Sequence, residues 1–213
     1  MSKKFAVLFD LDGVIIDTEP QYDNFWKKTG ADYHLGIENF EQIIKGTTLP
    51  NIIANYFSHL PLAQQQSIES DNRAFDLQLD MTPIPGSLEF LSELKREGFK
   101  IGLVTSSDDK KLETVFRALP IRSLFDTLVS ADRITRGKPD PMCYLLAASD
   151  LSVSPKDCFV FEDSFNGIAS GNAAGMKVVG LSTTNSAESI RDQVWKVIPD
   201  FQNFSVQTFL AEV

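Results

Sequence analysis

The sequence predicts an α/β fold: a doubly wound parallel sheet with a small helical-bundle cap inserted after its first strand. Two observations carry this. From residue 83 onward, short apolar runs alternate with helical stretches, the pattern of strands joined by helical crossovers in a parallel sheet. Between residues 18 and 80 no strand signal appears, and amphipathic stretches follow one another instead. The core domain is therefore expected over residues 1–17 and 82–213, and the cap over 18–81. A chain of 213 residues with 43% hydrophobic content suffices for one full core and an insert.

The first element is residues 5–9, Phe-Ala-Val-Leu-Phe, an apolar run without alternation, as in a central strand covered on both faces. Asp10 and Asp12 follow. In extended backbone, residues i and i+2 project to the same side, so the two carboxylates converge just past the strand. Gly13 then turns the chain. Carboxylates this close raise each other's pKa unless a cation lies between them or one keeps its proton. Acidic residues also end strands for no chemical reason, as turn formers. An EF-hand loop is excluded, because Val14 and Ile15 stand where it needs an oxygen ligand and a glycine.

Next come the cap helices. Thr18, Glu19 and Pro20 are helix-start signals, and Tyr22, Phe25, Trp26 and Thr29 share one helical face. A second helix is expected over 37–44, a third over 51–57 after Thr48 and Pro50, and a fourth over 62–80. The core then resumes with a helix introduced by Pro85-Gly86 and closed at Gly98, and a strand over 100–104 ending in Thr105-Ser106-Ser107. A helix over 108–119, an apolar segment over 124–129 and a polar loop over 130–140 containing Lys138 follow. A helix over 141–149 leads to a strand over 158–161, which ends in Glu162-Asp163-Ser164. The helix over 166–174 is rich in small residues that permit close packing on a sheet, and a strand over 177–181 follows it.

The net charge of −9, with no basic run, argues against a nucleic-acid surface, which displaces counterions with Lys and Arg. No apolar stretch reaches membrane-spanning length, and the five apolar residues before Asp10 are too few for a signal-peptide core. A cytoplasmic monomer without membrane attachment is expected. Cys143 and Cys158 lack metal or redox spacing and read as small buried hydrophobes. Two histidines and no G-x-S-x-G make a serine-hydrolase triad improbable.

In doubly wound sheets ligands bind outside the carboxyl ends of the strands. Those ends carry Asp10 and Asp12, Thr105 and Ser106, and Glu162 and Asp163, with Lys138 on a loop nearby. Hard oxygen donors without imidazole or thiolate favour Mg²⁺. A carboxylate nucleophile, a metal and a lysine are what phosphoryl transfer needs. Asp10 would attack phosphorus, and Asp12 would protonate the leaving oxygen and then deprotonate water. Thr105 and the backbone near Ser106 would bind phosphoryl oxygens, and Lys138 would offset the carboxylates.

The runs DLDGVIIDTE, VTSS, GKPDP and FEDSFNGIASGNAAGM, in this order, resemble the four motifs of the haloacid dehalogenase superfamily over essentially the whole chain. They are similar in particular to its sugar-phosphate phosphatases and β-phosphoglucomutases, which insert a helical cap after the first motif. The resemblance implies a Rossmann-like core, with Asp10 as nucleophile and Asp12 as acid/base giving its backbone carbonyl to Mg²⁺. It also implies that Glu162 and Asp163 complete the metal site, and that Thr105 and Lys138 fill the second and third motifs. Dehalogenases lack the second acid, so Asp12 disfavours halide displacement. The segment from Lys45 to Thr48 resembles the cap loop that holds a second phosphate in the mutases, which makes Lys45 a phosphate-binding candidate. Leu49 and Tyr22, however, stand where those mutases carry a basic residue and a histidine. The expected function is a Mg²⁺-dependent phosphatase of a small phosphorylated metabolite, a sugar or polyol phosphate, working through an aspartyl-phosphate. The alternatives are a β-phosphoglucomutase-type mutase and a non-catalytic phospho-ligand-binding module.

Overall fold

Residues 6–9 lack polar alternation because both faces of the strand they form are covered. This strand, β1 (Ala6–Phe9), is buried throughout in a computed structural model that describes residues 5–212. Residues 1–4 and 213, which the sequence assigns to the core domain, lie outside the described residues. The sheet is completed by β2 (Lys100–Val104), β3 (Thr127–Val129), β4 (Cys158–Glu162), β5 (Lys177–Leu181) and β6 (Lys196–Ile198). Its order is β3-β2-β1-β4-β5-β6, with every pair parallel. The chain builds from β1 to one side and then to the other, so the switch point lies between β1 and β4. There Phe9 pairs with Phe161, and the Asp10 N–H donates to the Phe161 carbonyl at 3.0 Å. This register sets Asp10 beside Glu162.

Four α-helices fill the insert: α1 (Glu19–Asp32), α2 (Phe40–Ile43), α3 (Leu49–Ile52) and α4 (Leu62–Asp76). They bury their own cluster of Trp26, Phe40, Ile44, Ile52, Phe57 and neighbours. The second helix is shorter than the sequence predicts, because it starts only after Asn39, whose φ is +52°. Residues 53–57 continue α3 as a π-helix. The fourth helix ends at Asp76 rather than residue 80. Gln21 captures the backbone there, accepting from the Asp80 N–H at 2.9 Å and donating to the Asp80 carbonyl at 3.0 Å. The two connections to the core run side by side. The Asp17 N–H donates to Thr82 O at 2.8 Å and the Ile84 N–H to Ile15 O at 2.9 Å.

Six core helices follow: α5 (Ser87–Arg96), α6 (Asp109–Ala118), α7 (Met142–Asp150), α8 (Phe165–Ala173), α9 (Ala187–Ile190) and α10 (Val206–Glu212). On one sheet face Phe9 stacks on Phe161 with ring centres 4.9 Å apart, and Phe90, Phe201, Phe204 and Phe209 pack around them. Such offset and edge contacts make a stiff floor beneath the strand ends. On the other face α8 lies close to the sheet, since a Cβ at Gly171 would stand 2.8 Å from the Val178 side chain. Of the segment 124–129 only Thr127–Val129 is strand, because residues 122–124 form a 3-10 turn. Beyond β5 the sequence reading placed no element, whereas the structure adds α9, β6 and α10.

Candidate active site

Asp10 follows β1 and Glu162 closes β4, so two adjacent strands deliver both carboxylates to one place, and Asp163 comes next in the chain. Oxygens of Asp10, Glu162 and Asp163 lie within 4.8 Å of one another, all buried. Lys138 donates to Asp10 Oδ1 at 2.9 Å and also to Glu162 Oε1. Glu162 is wholly enclosed. Its Oε1 also accepts from the Tyr144 hydroxyl at 2.8 Å. Its Oε2 accepts from the N–H groups of Asp163 (3.0 Å) and Ser164 (3.2 Å) and from the Ser164 hydroxyl (3.1 Å). A Cβ at Gly167 would stand 1.8 Å from Glu162 Oε1, so the first turn of α8 cradles this carboxylate only because residue 167 is glycine.

Asp163 is held differently. Its Oδ2 accepts from the Thr184 hydroxyl, while its buried Oδ1 has no partner among the described residues. A buried carboxylate oxygen without a donor is costly, and a cation on it removes the cost. The donor set, carboxylate oxygens without imidazole or thiolate, fits a hard divalent ion. Gly13, at φ +73°, makes room for Asp163, since a Cβ there would stand 2.1 Å from Asp163 Oδ2.

Charge in this cluster is unbalanced. Burial, reinforced by Glu162 and Asp12, pushes the Asp10 carboxyl up to about 7 against the pull of Lys138. Burial, then Glu19, Glu162 and Asp10, hold Asp163 well above the usual carboxylate range. Burial works against the Lys138 charge, but Asp10 and Glu162 outweigh it and raise its pKa. Of these three carboxylates Lys138 pairs with two, Asp10 and Glu162, which leaves Asp163 without an ammonium.

Asp12, which the sequence expectation also counted among the metal ligands, has its carboxylate outside this group of three. Both its oxygens accept from Lys111, at 2.6 and 2.7 Å, and it also accepts from Thr18 and, at 3.1 Å, from Ser107. Burial alone would raise its pKa, but Lys111 and these hydrogen bonds bring it below the usual range. The sequence marks Thr18 as a helix cap; its hydroxyl makes no cap bond and serves Asp12 instead. The Lys111 ammonium also sits 4.5 Å from the centre of the Tyr22 ring, whose hydroxyl donates to Asp76 at 2.5 Å.

A cavity of about 200 Å³ opens between the strand ends and the insert, with Asp10, Asp12, Thr105 and Ser106 on its floor and Lys45 on its wall. The Thr105 hydroxyl accepts from the Ser107 N–H at 3.1 Å. The Ser106 hydroxyl donates across to the Gly46 carbonyl at 2.7 Å. Lys45 is shared between Glu19 and, at 2.6 Å, Asp23. Sequence reasoning overlooked Lys111, Tyr144 and Thr184. Lys111 looks like any helix lysine, and Tyr144 and Thr184 lie beyond the polar strand ends that guided the reading.

This architecture and site define a class. Residues 6–175 match the haloacid dehalogenase-like hydrolases, and the chain belongs to that family. It is 32% identical over 188 residues to the β-phosphoglucomutase of Bacillus subtilis, covering 83% of this chain and 82% of that one. It is 30% identical over 193 residues to the validoxylamine A 7'-phosphate phosphatase of Streptomyces hygroscopicus subsp. limoneus, covering 88% and 90%. The crystal structure of a β-phosphoglucomutase from Clostridium difficile superposes with a TM-score of 0.81 at 25% identity, covering 100% of this chain and 96% of that one. The chain is thus a haloacid dehalogenase-like hydrolase, with relatives named for a phosphatase and for a mutase.

Proposed function

We propose that this hydrolase takes a small sugar or polyol phosphate and cleaves it through an aspartyl-phosphate on Asp10, with Mg²⁺ held by Asp10, Asp163 and the backbone carbonyl of Asp12. The observation that carries this reading is the partnerless, buried Asp163 Oδ1, one of three buried carboxylates whose oxygens lie within 4.8 Å of one another. When bound, the cation supplies the charge that keeps Asp10 ionised and offsets the phosphoryl oxygens. A carboxylate oxygen of Asp10 forms a bond to phosphorus as the bond to the leaving oxygen breaks, and Asp12 gives that oxygen its proton. Water, deprotonated by Asp12, then attacks phosphorus, which releases phosphate and frees Asp10. Thr105 and the backbone at Ser106 bind the phosphoryl oxygens, and Lys138 balances the carboxylates. Glu162, with both oxygens hydrogen-bonded, orients Lys138 and the start of α8. Lys111 keeps Asp12 ionised for the water step; the proton Asp12 takes from water there is the one it carries, parted from Lys111, to the leaving oxygen of the next turnover. The insert, residues 18–81, is the cap that closes over the core, residues 1–17 and 82–213.

Hydrolysis rather than mutation of the phosphate position is supported by Lys45, which is already matched by Glu19 and Asp23, and by Leu49 on the cavity wall. A second phosphate thus lacks a cationic grip from that loop. The test supplies β-glucose 1-phosphate with a trace of the 1,6-bisphosphate, and separately a panel of hexose and hexitol monophosphates, following inorganic phosphate and glucose 6-phosphate together. Phosphate release without glucose 6-phosphate is expected. Rapid glucose 6-phosphate formation with little phosphate would replace the hydrolase reading with a mutase.

A further inference from the structure

The cap helix α4 turns a polar face to the cavity on which one residue, Asp76, is engaged, by the Tyr22 hydroxyl. Glu69, Asn72, Arg73 and Asp76 all line the cavity, at the i, i+3, i+4, i+7 spacing of a single helix face. Asn72 is only 7% exposed, yet its amide makes no hydrogen bond among the described residues. Glu69 and Arg73, one turn apart, likewise show no ion pair there. The other cavity cations are committed, Lys45 to Glu19 and Asp23 and Lys111 to Asp12.

We propose that this face is the leaving-group subsite, and that it takes a polyhydroxylated chain carrying no second anionic group. This rests on the phosphatase reading and narrows it. The chemistry matches hydroxyls, since Glu69 accepts, Arg73 donates and the Asn72 amide does both, while each substrate hydroxyl offers a donor and an acceptor. A second phosphate, with a charge of about −1.5 to −2, would face Glu41, Glu69 and Asp76, with Arg73 as the one uncommitted cation among the described lining residues. Like charges in a partly enclosed cavity repel more strongly than in bulk water.

The full chain with Mg²⁺ is assayed for kcat/KM on sorbitol 6-phosphate, 6-phosphogluconate and fructose 1,6-bisphosphate, with acetyl phosphate as a reference whose leaving group is too small to reach α4. Sorbitol 6-phosphate should exceed the two anionic compounds by about tenfold or more. Glu69→Gln should narrow that gap. Asn72→Ala should lower the ratio of sorbitol 6-phosphate to acetyl phosphate about tenfold, the worth of a lost hydrogen bond. Equal or better use of the bisphosphate by the unaltered chain, which needs no variant to fold, would overturn the subsite while leaving the phosphatase reading intact. Ratios unmoved in both folded variants would overturn it as well. No phosphate release from any compound, acetyl phosphate included, would overturn the phosphatase reading and the subsite with it.

Discussion

Glu162 accepts five hydrogen bonds from four residues, and the glycine that admits it is as consequential as any carboxylate. Gly167→Ala would press a methyl onto Glu162 Oε1. It should cost about 1–3 kcal/mol, as overpacked cores do, and weaken Mg²⁺ binding, as urea unfolding and titration calorimetry would read; a variant unchanged in both contradicts the cradle. The carboxylates also set a pH dependence. Asp10 sits near 7 against a usual 3.8, so the folded chain holds this proton more tightly than the unfolded chain. Its stabilising effect is complete below about pH 4 and is lost as pH rises towards 7; Asp163 acts in the same direction. Because a ligand carboxylate must be ionised, the rise in Tm on adding Mg²⁺ should be larger at about pH 7.5 than at about pH 5. Scanning fluorimetry in chelator and in Mg²⁺ measures this, and a larger rise at the lower pH would contradict it. Asp10 and Asp163 were legible in the sequence because each follows an apolar strand. Lys111 was not, because nothing local separates a lysine that turns inward to Asp12 from one that faces water.

The insert has its own apolar cluster and two paired connections to the core, the makeup of an element that moves as a unit. Its hold on the strand ends includes two bonds from core side chains to backbone carbonyls, Ser106 to Gly46 and, at 2.8 Å, Asn166 to Lys45. The prediction at this scale is closure. Small-angle scattering should show a more compact chain with Mg²⁺ and a fluoride phosphate mimic than without, and Ser106→Ala with Asn166→Ala should weaken the compact form. Identical profiles in all states would contradict a moving cap. Strand bounds over 100–104 and 177–181 were readable because apolar runs there are bounded by turn residues. The extent of the second and fourth helices of the insert was not, since a left-handed Asn39 and the grip of Gln21 on Asp80 are tertiary facts. The last strand escaped because Lys196–Ile198 is three residues long, with two of them only half-buried.

Over the whole molecule, the sequence shows which segments alternate but not their order across the sheet, which depends on pairings distant in the chain. The polar strand ends still predicted the edge at which Asp10, Thr105 and Glu162 meet. The aromatic floor drew on Phe201, Phe204 and Phe209, which come from a stretch with no periodic signal. Above that floor stands Asp10, the group proposed to attack phosphorus. The most direct measurement is phosphate release from sorbitol 6-phosphate by Asp10→Asn beside the unaltered chain, with a melting curve to establish that the variant is folded. A loss of at least about a thousandfold, roughly 4 kcal/mol of barrier, in a folded variant is the predicted result. A folded variant within about tenfold of the unaltered chain, ~1.4 kcal/mol, would contradict the assignment of Asp10 as nucleophile.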